Sequence, residues 1–183
     1  MTLTSIAAIE ELFDVWGDNR YDEDLSQLAH ALQCAALADA SGASPELVAA
    51  ALLHDIGHLV ELQSGGGAHF TADLHHEDIA VLVLAEIVPR SVTDPIALHV
   101  QAKRFLVATE PTYLSTLSAG SRRSLAVQGG PMNSAECERF IAQPGAIDAV
   151  TLRRWDDNGK VEGLSVKPFA AYRPMLDRLA SKD

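Results

Sequence analysis

Apolar positions along the chain recur with helical spacing. Ile6, Ile9, Leu12, Phe13 and Trp16 form one stripe, and Gly17 stops it. Asp24, with Gln27 three residues on, has the form of a capping box that opens a helix to about Ala40, before Ser41-Gly42. Ser44-Pro45 sets a cap and a first-turn proline ahead of an apolar helix ending near Gly57. Asp73 caps a helix that Pro89 ends after Val88, and Asp94-Pro95 starts one reaching Ala108. Further helices are predicted over 118–128, from the Asn133/Glu136 box to Pro144, over 147–155, and over 168–180. No segment alternates with period two between turn signals, and the stretch Leu62 to Thr71, with three consecutive glycines, reads as a loop. The expectation is one all-α domain, residues 1–183, of about eight or nine helices.

Composition narrows the class. With 48% hydrophobic and 21% charged residues the chain reads as an ordinary globule, and its apolar runs are far below the ~20 residues of a membrane span. The start MTLTSIAAIEELF lacks the basic region of a signal peptide, and two cysteines, Cys34 and Cys137, make no disulfide framework. A reducing cytoplasm is the expected compartment. A formal charge of −11 repels phosphate backbones, so neither nucleic acid nor membrane is an expected partner. An anionic small substrate needs a local basic anchor or a metal.

The chemical signal lies in the histidines. His54-Asp55 sits inside the apolar string Ala-Ala-Ala-Leu-Leu-His-Asp-Ile-Gly, where an imidazole and a carboxylate need compensation for burial. The wider series His30, His54-Asp55, His76, His99 and Asp156 places each group on a different predicted helix or at its end. Mixed imidazole and carboxylate donors suit Fe, Mn or Zn, whereas Mg or Ca favour all-oxygen sites. Five or six such ligands exceed what one tetrahedral ion takes, which points to two metals bridged by a carboxylate, with Asp55 the natural bridge. His69 and His75 read as surface or loop residues, Cys34 as packing, and Arg122-Arg123 and Arg153-Arg154 as surface salt-bridge formers.

The order H…HD…H…H…D resembles the HD superfamily of metal-dependent enzymes. The strings Ser26-Gln-Leu-Ala-His30, Leu53-His-Asp-Ile-Gly-His58, His76-Glu-Asp-Ile-Ala80, Leu98-His-Val-Gln-Ala-Lys103-Arg, Gln128-Gly-Gly-Pro-Met132 and Arg154-Trp-Asp156-Asp narrow this. Together they resemble the HD-domain mixed-valent di-iron oxygenases that cleave the C–P bond of hydroxylated organophosphonates, from about Glu23 to Lys160. Myo-inositol oxygenase, with the same ligand order, is more distantly similar.

The resemblance implies a single HD-domain helical bundle and an Fe(II)/Fe(III) pair. One iron takes His30, His54, Asp55 and Asp156, and the other takes the bridging Asp55 with His76 and His99. Lys103, four residues after His99 on one helix face, anchors the phosphonate, and His58, four after His54, has a similar place. Ser121 and Gln128 are further substrate contacts, and Glu23 lies by the entry loop, where it meets an amino group or orients His58. The family's loop tyrosine corresponds to Tyr21, two residues before Glu23 instead of three. The implied activity is O2-dependent oxidation of a 1-hydroxyphosphonate to a carboxylic acid and inorganic phosphate. Two rivals use the same framework: a metal-dependent phosphohydrolase acting on a nucleotide or phosphate monoester, and a non-catalytic module that keeps the fold.

Overall fold

The computed structural model describes residues 3–20, 25–65 and 75–180. Among these residues there are eleven helices, and the only β pairing is an isolated bridge between Arg20 and Ser26. In chain order they are α1 (Ile6–Trp16), α2 (Gln27–Ala40), α3 (Pro45–Leu53), α4 (Ile56–Gln63), α5 (His76–Leu84), α6 (Arg90–Thr109), α7 (Tyr113–Thr116), α8 (Ala119–Val127), α9 (Ser134–Ile141), α10 (Ala146–Asn158) and α11 (Phe169–Ala180). No helix among the described residues is long and apolar enough to cross a membrane.

Local chemistry explains most boundaries. Ser44 accepts from the Leu47 amide with Pro45 in the first turn, and Asn133 and Glu136 satisfy each other's backbone amides in a full capping box. The start of α2 differs from expectation: Ser26 caps it through the Ala29 amide. The expected caps Asp24 and Asp73, like Tyr21, Glu23 and His69, lie outside the described residues. Helix α6 begins at Arg90, ahead of the expected Asp94-Pro95 start, and carries Pro95 in its second turn. A proline there forfeits one backbone donor but fits helical φ, and the earlier start adds about one turn of helix, residues 90–93.

The count exceeds the expected eight or nine because the expected helix from Pro45 is two, the second of which runs on to Gln63 into the expected loop, and because the short α7 is not among the expected helices. The chain leaves α3 after Leu53, turns through His54 and Asp55, and re-enters helix at Ile56. Asp55 has φ −98° and ψ 9°, and its side chain caps nothing on α4, so both carboxylate oxygens stay free to face inward. Gly57, which marks a helix end in the sequence, lies in the first turn of α4 instead. A Cβ on it would sit 2.0 Å from the His76 carbonyl oxygen, so only glycine lets α4 approach the start of α5 this closely.

The main core is built by α1 to α6, α10 and α11, with Ile9, Leu52, Leu53, Ile56, Leu84, Ile96, Leu152 and Leu176 fully buried. Helix α10 packs along α6, α2 along α3, and α5 against both α4 and α6. These packings point the ends of α3, the start of α5, the middle of α6 and the end of α10 at one spot. A second cluster, Leu106, Tyr113, Leu117 and Leu125, closes the side under α7 and α8.

Gly57→Ala is expected to destabilise the protein by about 1–3 kcal/mol, the usual range for forced overpacking, and to shift His76. Thermal melting with a metal-binding titration checks this, and a variant with wild-type values in both is the contrary outcome.

Candidate metal centre

Four imidazoles from four different segments converge on one carboxylate. Asp55 Oδ2 lies 3.6 Å from His30 Nε2 and 3.4 Å from His54 Nε2. Asp55 Oδ1 lies 3.4 Å from His76 Nε2 and 3.8 Å from His99 Nε2. Each oxygen thus faces its own histidine pair. Asp156, at the end of α10, adds Oδ1 at 3.4 Å from His30 Nε2 on the Oδ2 side. The structure therefore brings together His30, His54, Asp55, His76, His99 and Asp156.

The other ring nitrogens are occupied. His30 Nδ1 is 2.9 Å from the Gly159 carbonyl, His54 Nδ1 3.0 Å from that of Ala51, and His99 Nδ1 2.7 Å from that of Ile96. His76 Nδ1 lies 3.5 Å from Glu77 Oε2. A carbonyl only accepts, so in the neutral rings of His30, His54 and His99 Nδ1 carries the proton and Nε2 presents a lone pair inward. His76 Nε2 and His99 Nε2 then stand 3.0 Å apart, and His54 Nε2 is buried with no hydrogen-bond partner. Lone pairs converging on a carboxylate in a buried site call for cations, and these donors fit a first-row divalent or trivalent metal.

Electrostatics agree. Burial holds His54 and His99 below the ordinary imidazole range, and burial with the neighbouring His58 brings His76 down to about 4. Asp55 stays well below the usual carboxylate range, because His54, His76 and His58 outweigh its desolvation. Neutral imidazoles around an ionised carboxylate are the protonation states a metal needs. His30 departs from this: burial pushes it down, but Cys34 and Asp156 raise it well above the ordinary value. Without metal, a proton on His30 then supplies positive charge between two carboxylates. Cys34 lies 3.7 Å from His30 Nδ1, but burial raises its thiol and its Sγ donates to the Trp155 carbonyl, a packing role.

The centre forms the floor of a cleft whose walls include Ser26, Gln27, His58, Val100, Lys103, Gly120, Ser121, Ser124, Gln128, Arg153 and Lys160. His58 stacks on His76 with ring centroids 4.0 Å apart, its Nδ1 3.2 Å from Glu61 Oε2. Lys103 is buried, donates to Ser124 Oγ at 2.7 Å, and is brought down to about 7 by desolvation and by Arg153. Gln128 leaves Oε1 without a partner. Ser121 Oγ accepts from Arg153 Nη2 at 3.1 Å and from Lys160 Nζ at 3.2 Å.

Arg153 corrects the sequence reading. Arg154 does pair with Glu110 near the surface, but Arg153 is 3% exposed and forms a wall of the cleft. Its Nη1 donates to Asp156 Oδ2 at 2.6 Å, and its Nη2 reaches Asp157. The available signal was spacing: Arg153 precedes Asp156 by three residues on α10, so the two share a face. Lys160, four residues after Asp156, lies 3.5 Å from Asp156 Oδ1.

An HD domain family model matches residues 28–116. The chain is 44% identical over 173 residues to the hydroxymethylphosphonate dioxygenase of Gimesia maris, covering 94% of this chain and 86% of that protein. It is 36% identical over 172 residues to the [1-hydroxy-2-(trimethylamino)ethyl]phosphonate dioxygenase (glycine-betaine-forming) of Leisingera caerulea, covering 93% and 88%. An uncharacterized protein of Acanthamoeba polyphaga mimivirus is 33% identical over 177 residues, covering 95% and 81%.

The lowered histidines give the metal-free protein a pH dependence. The unfolded chain protonates its imidazoles near 6.5, whereas His54, His76 and His99 resist protonation in the fold, His76 until about 4. The unfolded state therefore binds more protons below 6.5, and stability falls as pH falls; the raised His30 opposes this only in part. Urea midpoints are expected to show a loss of about 2 kcal/mol or more between pH 7.5 and 5. A flat profile is the contrary result.

Proposed function

The chain belongs to the family of HD-domain proteins that contains these two phosphonate dioxygenases, and we propose that it uses O2 to cleave the C–P bond of a 1-hydroxy-organophosphonate. The products are a carboxylic acid and inorganic phosphate. For hydroxymethylphosphonate, the substrate in the name of the 44% identical relative, they are formate and phosphate, which account for both atoms of O2. The observation that carries the reading is the division of Asp55, with Oδ2 toward His30 and His54 and Oδ1 toward His76 and His99. Two such half-sites suit a pair of metal ions better than one, and the dioxygenase relatives favour oxidation over hydrolysis on that pair.

In this reading His30, His54, Asp55 and Asp156 would hold one iron, and His76 and His99, with Asp55 shared, would hold a second. Bound iron supplies Lewis acidity toward the substrate's hydroxyl and phosphonate oxygens, and one-electron chemistry with O2. The protein supplies orientation and charge. Lys103, Arg153 and Lys160 line the cleft beside the centre and neutralise a phosphonate dianion that the net charge of −11 would otherwise repel. Lys103, poised at about 7, takes up a proton when the dianion arrives, because a nearby negative charge favours the ammonium. The Ser121 hydroxyl, already fixed by Arg153 and Lys160, and the unpartnered Gln128 Oε1 give the cleft an ordered polar lining. His58, braced by Glu61 and stacked on His76, keeps that ring in register and offers its remaining nitrogen to the substrate side. Glu23 and Tyr21 belong to the same proposal as entry-loop residues. The phosphohydrolase is not favoured, since both characterised relatives are dioxygenases.

The test is metal content with EPR of as-purified and partly reduced protein, with and without hydroxymethylphosphonate, alongside O2 uptake and phosphate release. The expected result is about two irons per chain, a mixed-valent signal altered by substrate, and about one O2 consumed per phosphate. Phosphate release without O2, from a nucleotide or phosphate monoester, overturns the reading. Lys103→Met is expected to cost about 10- to 100-fold in kcat/KM, mostly through KM, as loss of a charge-assisted contact does. An unchanged KM removes Lys103 from the anchor.

A further inference from the structure

Arg153 grips Asp156 in an unusual way. A guanidinium beside a carboxylate normally closes on both oxygens with two parallel hydrogen bonds. Here Nη1 takes Asp156 Oδ2 alone, at 2.6 Å, and Asp156 Oδ1 is left 3.4 Å from His30 Nε2. The second arm of the guanidinium is held elsewhere: Nη2 donates to Asp157 Oδ1 and to Ser121 Oγ, and Nε lies 3.3 Å from the Tyr113 hydroxyl. Tyr113 in turn donates its hydroxyl to Asp157 Oδ2. Its ring is buried with Leu106, Leu117 and Leu125, so the position of the hydroxyl is set by apolar packing under α7 and α8.

We infer that Tyr113 and Asp157 are positioning residues for the metal centre: they hold Arg153 in a one-handed grip on Asp156 Oδ2 and so keep the guanidinium off Oδ1, which faces His30 at 3.4 Å and Lys160 at 3.5 Å. Neither residue is among those lining the cleft. Charge supports the same role, because Arg153 against Asp156 alone would cancel the carboxylate that a cation needs. Asp157 supplies a second carboxylate, so the buried Arg153 is shared between Asp156 and Asp157 and does not spend its whole charge on Asp156. With the brace removed, the guanidinium can rotate onto both oxygens of Asp156. One half of the centre then loses a ligand, while Asp55 Oδ1, His76 and His99 are untouched.

The inference rests on the two-metal reading above, and its test separates the two. Metal-free wild type, Tyr113→Phe and Asp157→Ala are titrated anaerobically with Fe(II), and bound iron is counted after desalting. Tyr113→Phe keeps the packed ring and removes only the hydroxyl, and circular dichroism melting confirms the fold. Both variants are expected to bind the first iron like wild type and the second about 10- to 100-fold more weakly, the usual effect of losing a residue that orients a ligand. The EPR signal of the coupled pair is expected to fall in proportion, with recovery at high iron, an effect a purely structural role does not produce. Wild-type binding of both irons, or equal weakening of both, overturns the inference and leaves the proposed function standing. A wild type that binds one metal and needs no O2 overturns the proposed function itself.

Discussion

One carboxylate, Asp55, faces four imidazoles in the middle of an apolar bundle, and the rest of the structure follows from compensating it. An ionised carboxylate removed from water costs several kcal/mol unless charge or hydrogen bonds replace the solvent. Here the replacements on offer are one imidazole raised toward its protonated form, His30, and the neutral rings of His54, His76 and His99, whose lone pairs attract cations. The single raised ring stands between two carboxylates, and cations between the nitrogens and the oxygens complete the compensation. The two oxygens are served by different histidines, so cations on both sides satisfy the geometry better than one.

The helices are arranged to deliver those lone pairs. His54 and His99 each direct Nδ1 to a carbonyl three residues earlier, Ala51 and Ile96, so the tautomer of these rings is set within their own segment. His30 is set from a distance by the Gly159 carbonyl just beyond α10. A Cβ at Gly159 would lie 2.6 Å from Cys34 Sγ, so this approach of α10 to α2 depends on glycine. The turn at His54-Asp55 matters equally. A continuous helix through these residues would point consecutive side chains about 100° apart, whereas the break lets His54 and Asp55 serve one site together.

Much of this was legible in the sequence, and the exceptions share a cause. The helical class, the Ser44-Pro45 start and the Asn133/Glu136 box are local features, fixed by residues within one turn of each other. The convergence of His30, His54, Asp55, His76, His99 and Asp156 was readable through ligand chemistry and order along the chain. What did not show locally was tertiary. The break between α3 and α4 falls at His54-Asp55 inside a mostly apolar run, and the close pass of Gly57 over His76 that accompanies it is a contact across the fold. Arg153 reads as half of a surface Arg-Arg pair until α10 is laid along α6, which buries Arg153 and leaves Arg154 outside.

The same tertiary placement resolves the conflict between an acidic protein and an anionic substrate. Fourteen basic residues against twenty-five acidic ones make the surface repulsive to phosphonate, yet the cleft gathers Lys103, Arg153 and Lys160 around Ser121. Arg153 and Lys160 meet at that hydroxyl, and both also bear on Asp156, so substrate charge and metal charge are balanced through one shared set of groups. Binding of an anion against these cations relieves their pull on Asp156 and leaves its carboxylate more available to the metal. Arg153 and Lys160 thus stand both in the cleft wall and beside Asp156, and the acidic chain places positive charge where a dianion has to enter.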